Sequence, residues 1–259
     1  MPIITLTTDF GLADGYVGTM RGVILSIAPE VTLVDLSHQI PAQNVRAGAF
    51  VLYQAVPFFP PETLHVAVVD PGVGSQRRAL AVRTSQGLFI APDNGVLSYV
   101  LATADVYEAV SLTNPAYQLP QVSTTFHGRD VFAPAAAHLA TGVPLEELGP
   151  RAINLVRLPF PQPETTPSED LITHVMHIDR FGNLILDVTA DQVREETILE
   201  LKECKIEGLS RTFADVAPGE LLAYVGSSRD HVEIAVRDGD AACELGVNAG
   251  DEVRIRKTP

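Results

Sequence analysis

An aspartate and an arginine in the first half of the chain are spaced in a way that suits ligand binding or the activation of water. Asp70 ends the apolar run of residues 64–69, and Arg77 follows after two glycines that let backbone approach a ligand closely. An ion pair between them would favour the ionised carboxylate. The alternative is a tight turn with a surface ion pair. The position of Asp70 directly after a buried strand disfavours this alternative.

A histidine in the segment 126–130 adds a group that titrates near neutral pH. His127 stands between Phe126 and Gly128, and such a histidine can orient or deprotonate water. The alternative is that His127 caps the helix predicted over residues 132–140. Asp130 directly precedes that helix and is the better cap candidate.

A third group of polar residues follows the first predicted strand, in the segment 7–11, TTDFG. Asp9 at a strand end could accept two hydrogen bonds from a ribose diol. An N-cap or turn aspartate is the alternative. Asp14 follows and is predicted to start a helix, with Val17, Met20 and Ile24 on one face at helical spacing.

The second half of the chain has two loops with binding potential. The first joins two apolar strands and contains Asp179, Phe181 and Asn183, which could bind an ammonium, stack on a base and read its edge. An ordinary hairpin connection is an alternative of equal weight. Ser228 and Arg229 suit a carboxylate, with a plain turn as the default interpretation.

Two histidines near the first of these loops could suggest a metal site. His174 and His177 precede Asp179, but residues three apart on a strand point to opposite faces. The sequence therefore predicts no metal site.

The elements that must position these residues alternate between strand and helix over residues 1–158. Runs 3–7, 31–36 and 64–69 are predicted strands, and runs 79–84 and 88–91 form a hairpin. This alternation indicates an α/β N-terminal domain with a central, mostly parallel sheet, in which ligands gather at the carboxyl ends of strands.

The pattern changes after a stretch rich in proline and polar residues. Residues 159–169 are predicted to be a linker, and residues 170–259 a smaller all-β, barrel-like C-terminal domain built of short runs separated by turns. One of those predicted strands covers residues 197–206.

Composition limits the classes of partner. The formal charge is −14, from 18 Lys and Arg against 32 Asp and Glu in 259 residues, which disfavours nucleic acid and favours a small neutral or cationic ligand. No apolar run is long enough to span a bilayer, so no membrane association is expected. The start lacks signal-peptide character, and the two cysteines form no CxxC pair, so a cytoplasmic setting is expected.

Eight segments together carry a resemblance to a known family. They are TTDFG at 7–11, YVGTMRGVI at 16–24, VDLSH at 34–38, VVDPGVGSQRR at 68–78, APDNGVLS at 91–98, FHGRDVFAPAAAHLA at 126–140, IDRFGN at 178–183 and PGELLAYVGSS at 218–228. In this order they resemble the S-adenosylmethionine hydroxide adenosyltransferases, also called S-adenosylmethionine hydrolases, which are relatives of the fluorinases and chlorinases.

The resemblance implies an activity and an assembly. Water or hydroxide would attack the 5′ carbon of S-adenosyl-L-methionine in line, releasing adenosine and L-methionine without a cofactor. The active sites would lie between the subunits of a homotrimer.

It also implies roles for individual residues. The water-handling set would be Asp70, Arg77 and His127. Substrate would be bound by Asp9 at the ribose diol, by Asp14 and Asp179 near the methionine ammonium, by Phe181 and Asn183 at adenine, by Ser228 and Arg229 at the carboxylate, and by backbone near Val236, with Phe126 and Gly128 beside His127.

Hydrolysis is favoured over halide transfer within this superfamily. Similar halogenases lack the Asp–Arg–His set, carry an insertion where residues 78–93 are short, and have a tryptophan where Ala42 stands. Arg229, where this branch often has glycine, is more fluorinase-like, and Asp187 also departs from the usual pattern. The alternatives are a chlorinase-like, halide-dependent adenosyltransferase and a non-catalytic sensor of S-adenosylmethionine or adenosine.

Overall fold

The computed structural model describes residues 1–256, which divide into two compact units at the junction of Phe160 and Pro161. Each unit has its own sheet and its own hydrophobic core. Within the described residues, no helix combines the length and apolar character needed to cross a membrane.

The first unit alternates strands and helices, as the sequence predicts. Its elements are β1 (Ile3–Thr8), α1 (Tyr16–Ile27), β2 (Thr32–Ser37), α2 (Val45–Ala55), β3 (Leu64–Val68), β4 (Ala79–Thr84), β5 (Gly87–Pro92), α3 (Ser98–Thr103), β6 (Val106–Ser111) and α4 (Ala133–Ala140). Short 3₁₀ turns cover Val56–Phe58, Pro115–Tyr117 and Leu145–Leu148, and a π-helical turn, Gly128–Phe132, leads into α4.

The strands of this unit form one sheet in the order β2-β1-β3-β5-β4-β6. Strands β2, β1, β3 and β5 are parallel neighbours, and the β4–β5 hairpin and β6 add antiparallel pairs at one side. This confirms the predicted α/β fold with a mostly parallel sheet.

Alternation along β3 explains why helices cover both faces of this sheet. Val66 and Val68 pack with α1 and α4 in one core cluster, whereas Ala67 and the following Val69 pack with α2 and α3 in another. Because successive strand residues point to opposite faces, an unbroken apolar strand requires cover on both sides.

The second unit is antiparallel. Its elements are β7 (Glu164–Thr165), β8 (Leu171–Ile178), β9 (Leu184–Thr189), β10 (Ile198–Leu201), β11 (Cys204–Glu207), β12 (Leu221–Val225), β13 (His231–Val236), α5 (Ala241–Leu245) and β14 (Glu252–Arg256), with 3₁₀ turns at Ala190–Gln192 and Phe213–Asp215.

This antiparallel sheet is nearly closed. The strand order is β11-β10-β14-β8-β9-β13-β12, and a parallel bridge between Ser210, just after β11, and Tyr224 of β12 links the two ends. The inward-facing residues of this barrel-shaped sheet form one core, which confirms the predicted barrel-like fold.

One sequence prediction for this unit was wrong in detail. The run 197–206 is not one strand, because Lys202 adopts a left-handed conformation (φ 55°) in the turn that separates β10 from β11. The predicted linker 159–169 contains the short strand β7, which pairs with β8 of the second unit.

Candidate functional site

The polar residues of the first unit emerge from neighbouring strands at one edge of the sheet. Strands β1 and β3 are parallel and in register, with Thr8 opposite Val68. Asp9 follows β1 directly, and Asp70 follows β3 after Val69. Both carboxylates therefore stand at the carboxyl edge, the position where open α/β sheets bind ligands.

Arg77 folds back onto Asp70, as the spacing of the two residues predicts. Arg77 Nε donates to Asp70 Oδ1 at 3.1 Å and to Oδ2 at 3.0 Å, and Nη2 donates to Oδ2 at 2.5 Å. The two side chains are only 9% and 5% exposed. The three hydrogen bonds hold this buried pair in one geometry. Removing either partner would leave an uncompensated charge.

His127 lies against the same guanidinium. Arg77 Nη2 is 2.8 Å from His127 Nδ1. Because arginine can only donate, Nδ1 must accept, so the proton of the neutral imidazole resides on Nε2. Burial, and then the Arg77 guanidinium, lower the pKa of His127 below its ordinary value, while Asp70 and Asp130 oppose this shift. The ring is therefore neutral at pH 7.

The residues after His127 form the π-helical turn Gly128–Phe132 instead of a capped helix. Asp130 is fully buried, accepts from Ser123 N at 2.8 Å and forms an ion pair with Arg129. Although burial raises the pKa of Asp130, the hydrogen bond from Arg129 and that from Ser123 hold it below its ordinary value. The predicted cap was therefore wrong: Asp130 anchors the loop before His127.

The ring of Phe132 lies against the guanidinium of Arg77. Arg77 Cζ lies 5.3 Å from the ring centroid of Phe132, which is fully buried in the core. This cation–π contact helps to hold the guanidinium in place.

Gly74 sets the spacing between the loop of Asp70 and Arg77 and the loop that precedes His127. Its backbone has a φ of +78°, and a Cβ added there would lie 2.5 Å from the carbonyl oxygen of Thr124. Only glycine combines that conformation with so close an approach. The two loops are thus in direct backbone contact.

The Asp9 loop is held by backbone as well. Asp9 Oδ2 accepts from Gln43 N at 2.8 Å, and Gln43 itself has a positive φ of 64°. Sequence reasoning missed Gln43, because a backbone donor carries no side-chain signal.

Aromatic rings lie between the Asp9 loop and His127. Phe126 is 5.8 Å from Phe10 and 5.1 Å from Tyr16, centroid to centroid, and Gly128 is buried beside Phe10 and Phe126. Asp14 is exposed and does not start the helix, since α1 begins at Tyr16 after Gly15, and no side chain caps it.

In the second unit, Asp179, Phe181 and Asn183 belong to the β8–β9 connection. The Asp179 carboxylate accepts from Phe181 N, Asn183 N and Asn183 Nδ2 at 2.8–2.9 Å. Phe181 is 74% exposed, whereas Asn183 is 8% exposed. The loop is thus preorganised by its own aspartate, with an aromatic face presented outward.

Ser228 and Arg229 lie in the β12–β13 connection. Ser228 is buried, and Arg229 adopts a left-handed conformation with φ 57°. A pair that the sequence did not suggest lies next to this loop: Tyr224 donates to the buried carboxylate of Glu233 at 2.5 Å. Val236 ends β13 with its side chain in the core, so only its backbone is available to a ligand.

The structure thus brings Asp70, Arg77 and His127 into direct contact within the first unit, and places Asp179, Phe181, Asn183, Ser228, Arg229 and Val236 on the second. Across residues 1–256, no group of three or more histidine, cysteine, aspartate or glutamate side chains is arranged to hold a metal ion.

Comparison with known proteins adds an independent observation. Residues 4–149 match the family model of the SAM hydroxide adenosyltransferase N-terminal domain, and residues 173–254 match that of the C-terminal domain. The (R)-S-adenosyl-L-methionine hydrolase of Salinispora tropica is 44% identical, covering 98% of this chain and 97% of the relative.

Two further similarities are more distant in sequence. A fluorinase of Nocardia brasiliensis is 29% identical over 98% of this chain and 97% of its own length. The crystal structure of an uncharacterized conserved protein from Thermotoga maritima superimposes with a TM-score of 0.91 at 38% identity, covering 98% of this chain and all of the other.

Proposed function

Because the chain belongs to the SAM hydroxide adenosyltransferase family, we propose that it is an enzyme that hydrolyses S-adenosyl-L-methionine to adenosine and L-methionine. In this reaction a water oxygen forms a bond to the 5′ carbon as the bond from that carbon to sulfur breaks. The electron pair stays on sulfur, and one water proton is released. No redox step occurs and sulfur leaves without activation, so the proposal includes no cofactor.

The contact between Asp70, Arg77 and His127 is the observation that carries this proposal. Arg77 uses both hydrogens of Nη2 within the set, one for each partner. Since His127 accepts at Nδ1, its Nε2–H is a donor that can hold a water oxygen. Asp70 retains acceptor capacity beyond its bonds to Arg77 and can orient a water hydrogen.

This protonation pattern selects a route for the proton. The neutral His127 ring has no free lone pair, so Asp70 rather than His127 is the acceptor as the new bond forms. A weak base suffices, because the oxygen becomes strongly acidic once it is bonded to carbon. Holding water in line with the 5′ carbon contributes several kcal/mol, on the order of the effective-molarity gains of oriented reactants.

The leaving group requires no help from the protein. Methionine departs as a neutral thioether from a cationic sulfonium, so no general acid is needed at sulfur. The net charge of −14 also suits a substrate whose reacting centre is positive.

The substrate-binding roles are part of the proposal. Ribose would be held by Asp9, the methionine ammonium by Asp14 and Asp179, adenine by Phe181, Asn183 and backbone at Val236, and the carboxylate by Ser228 and Arg229, with Phe126 and Gly128 shaping the wall beside His127. The outward Phe181 ring and the ordered Asp179 loop support the adenine assignment.

Assembly and location complete the proposal. A homotrimer with intersubunit active sites follows from the family resemblance, and light scattering coupled to gel filtration tests it. A cytoplasmic location is supported by the two cysteines, Cys204 and Cys243, which are both free thiols.

A halide-dependent adenosyltransferase is the second candidate, favoured by the full-length similarity to a fluorinase. The Arg77 guanidinium offsets the charge of Asp70, so the set presents hydrogen-bonding groups for water and no unpaired cation for a halide. A non-catalytic sensor is the third, and the ordered Asp70–Arg77–His127 set disfavours it.

The deciding experiment incubates purified protein with S-adenosylmethionine in ¹⁸O-labelled water, with and without chloride or fluoride. The name of the Salinispora tropica relative specifies an (R) substrate, so both sulfonium epimers are assayed. Labelled adenosine with an equal amount of methionine supports hydrolysis. A 5′-halogenated nucleoside would replace this proposal with halide transfer, and binding without any product would replace it with a sensor.

A further inference from the structure

A buried histidine outside the water-handling set contacts the strand end that carries Asp9. His38 follows β2 and is 4% exposed. Its Nδ1 lies 2.9 Å from Thr8 Oγ1, and its Nε2 lies 3.0 Å from Asp35 Oδ1. Asp35 is in turn paired with Arg21 of α1. One connected set of side chains therefore runs from α1 through β2 to the end of β1.

The charge of Asp35 favours one direction for the bond between Thr8 and His38. Nε2 makes no hydrogen bond within residues 1–256, but the negative charge of Asp35 at 3.0 Å favours a proton on that nitrogen, which leaves Nδ1 as the acceptor. The Thr8 hydroxyl then donates to His38, and its oxygen remains free to accept from the backbone. Phe10 N lies 3.3 Å from Thr8 Oγ1 in position to be that donor.

His38 also holds the loop through its own backbone. Gly11 N donates to the carbonyl oxygen of His38 at 2.7 Å. The segment Asp9–Phe10 is thus fixed on both sides, at Thr8 by the imidazole and at Gly11 by the backbone of the same residue.

We propose that His38 is a positioning residue for recognition of the ribose diol, acting through Thr8 to hold the carboxylate of Asp9 in place. This inference rests on the proposed function, since Asp9 is the group assigned there to the diol. His38 has no direct contact with substrate in this role. It determines where the carboxylate stands when the two ribose hydroxyls arrive.

The same strand contains a matched control. Thr5, three residues before Thr8 on β1, forms the same kind of bond, with Thr5 Oγ1 2.8 Å from His65 Nδ1 of β3. Thr5 and His65 are fully buried, and the His65 ring stacks on Phe89 at 5.0 Å within the sheet. This pair lies away from the carboxyl edge and has no link to the Asp9 loop.

The experiment compares Thr8→Val with Thr5→Val, which remove one buried hydroxyl each from the same strand, on opposite faces of the sheet. Calorimetry measures the binding of adenosine, 2′-deoxyadenosine and 3′-deoxyadenosine, so turnover is not needed. We expect the unaltered protein to bind adenosine at least about tenfold more tightly than either deoxynucleoside, since each loses a bond to a charged acceptor.

Thr8→Val is expected to weaken adenosine binding by about tenfold while leaving the deoxynucleosides within about twofold, so that the preference for the diol collapses. Thr5→Val should retain the full preference even if it lowers the melting temperature as much. His38→Asn, which can place an amide oxygen near the position of Nδ1, should recover most of the preference, whereas His38→Ala should not.

Equal preference for the diol in Thr8→Val and Thr5→Val would overturn the role of His38. The same holds if Thr8→Val weakens all three nucleosides alike, because that indicates a general structural loss. Failure of the unaltered protein to bind adenosine at all would instead contradict the proposed function, so the two failures are distinguishable.

Discussion

Two consecutive arginines pair with buried aspartates, yet the surroundings of the two pairs differ. Arg77 bonds Asp70 and shares Nη2 with His127. Arg78 bonds Asp93 through Nε at 2.8 Å and donates from Nη1 and Nη2 to the carbonyl oxygens of residues 153 and 154. Asp93 also accepts from Val156 N at 2.8 Å.

The contrast shows that burial and pairing do not by themselves mark a catalytic aspartate. In the Arg78–Asp93 pair, backbone groups of the segment 153–156 occupy the remaining donors and acceptors, so the pair fastens that segment to β4 and β5. In the Arg77–Asp70 pair, the remaining bond goes to an imidazole. The Arg77–Asp70 pair can therefore act on a ligand through His127, whereas the Arg78–Asp93 pair holds the chain in place.

Replacing Asp70 should have the largest effect on turnover. Asp70→Ala removes the proposed proton acceptor and frees Arg77 from its position, so we expect kcat to fall by about a thousandfold, within the range for a positioned acid or base. Steady-state kinetics with S-adenosylmethionine measures this. Adenosine binding by the same variant should persist, and turnover within a few-fold of the unaltered enzyme would rule out this role for Asp70.

Replacing Asp93 should have the opposite profile. Asp93→Asn removes the counter-charge of Arg78, whose side chain is 35% exposed, so the free energy of unfolding should fall by about 2 kcal/mol, less than for a fully buried pair. Urea denaturation measures the loss. We expect kcat to stay within about twofold, because no donor of this pair reaches His127. A loss of kcat as large as that of Asp70→Ala would erase the distinction between the two pairs.

The pH dependence of activity should show the smallest and most specific difference between the Arg77–Asp70 and Arg78–Asp93 pairs. Burial and Arg77 lower the pKa of His127, and the Nδ1 of a protonated ring could not accept from Arg77. We therefore expect kcat/KM to fall with decreasing pH, with a midpoint below the ordinary histidine value of 6.5.

Variants of the two arginines separate the causes of that midpoint. Arg77→Gln removes a positive charge that lowers the pKa, so the midpoint of the residual activity should move upward. Arg78→Gln should leave the midpoint unchanged. An equal upward movement in both variants would indicate a general change of charge and not the specific contact between Arg77 and His127.

The fold and the centre of the site could be predicted from local patterns. The unbroken apolar run before Asp70 indicates a strand covered on both faces, and a charge placed directly after it must stand at the carboxyl edge. Seven residues with two glycines are enough for Arg77 to return to Asp70. These conclusions need no knowledge of distant parts of the chain.

The contacts that the sequence did not predict depend on packing between distant elements. His38 stands in a polar segment that resembles a surface loop, and only the packing of α1 and β1 against it makes it 4% exposed. Asp130 looks like a helix cap because its partner Ser123 lies in an irregular loop. The local pattern around Asp93 is that of a turn aspartate, because its partner Val156 lies 63 residues further along the chain.

The close approach of Gly74 to Thr124 limits which amino acids can occupy position 74. Any side chain at position 74 would collide with a carbonyl oxygen and force apart the two loops that bring Arg77 to His127. In a library of all substitutions at this position, selection for activity should retain glycine alone, whereas selection for folded protein should tolerate more residue types. The requirement for glycine at this surface position is thus as strict as the requirement for the charged groups on the two loops that meet there.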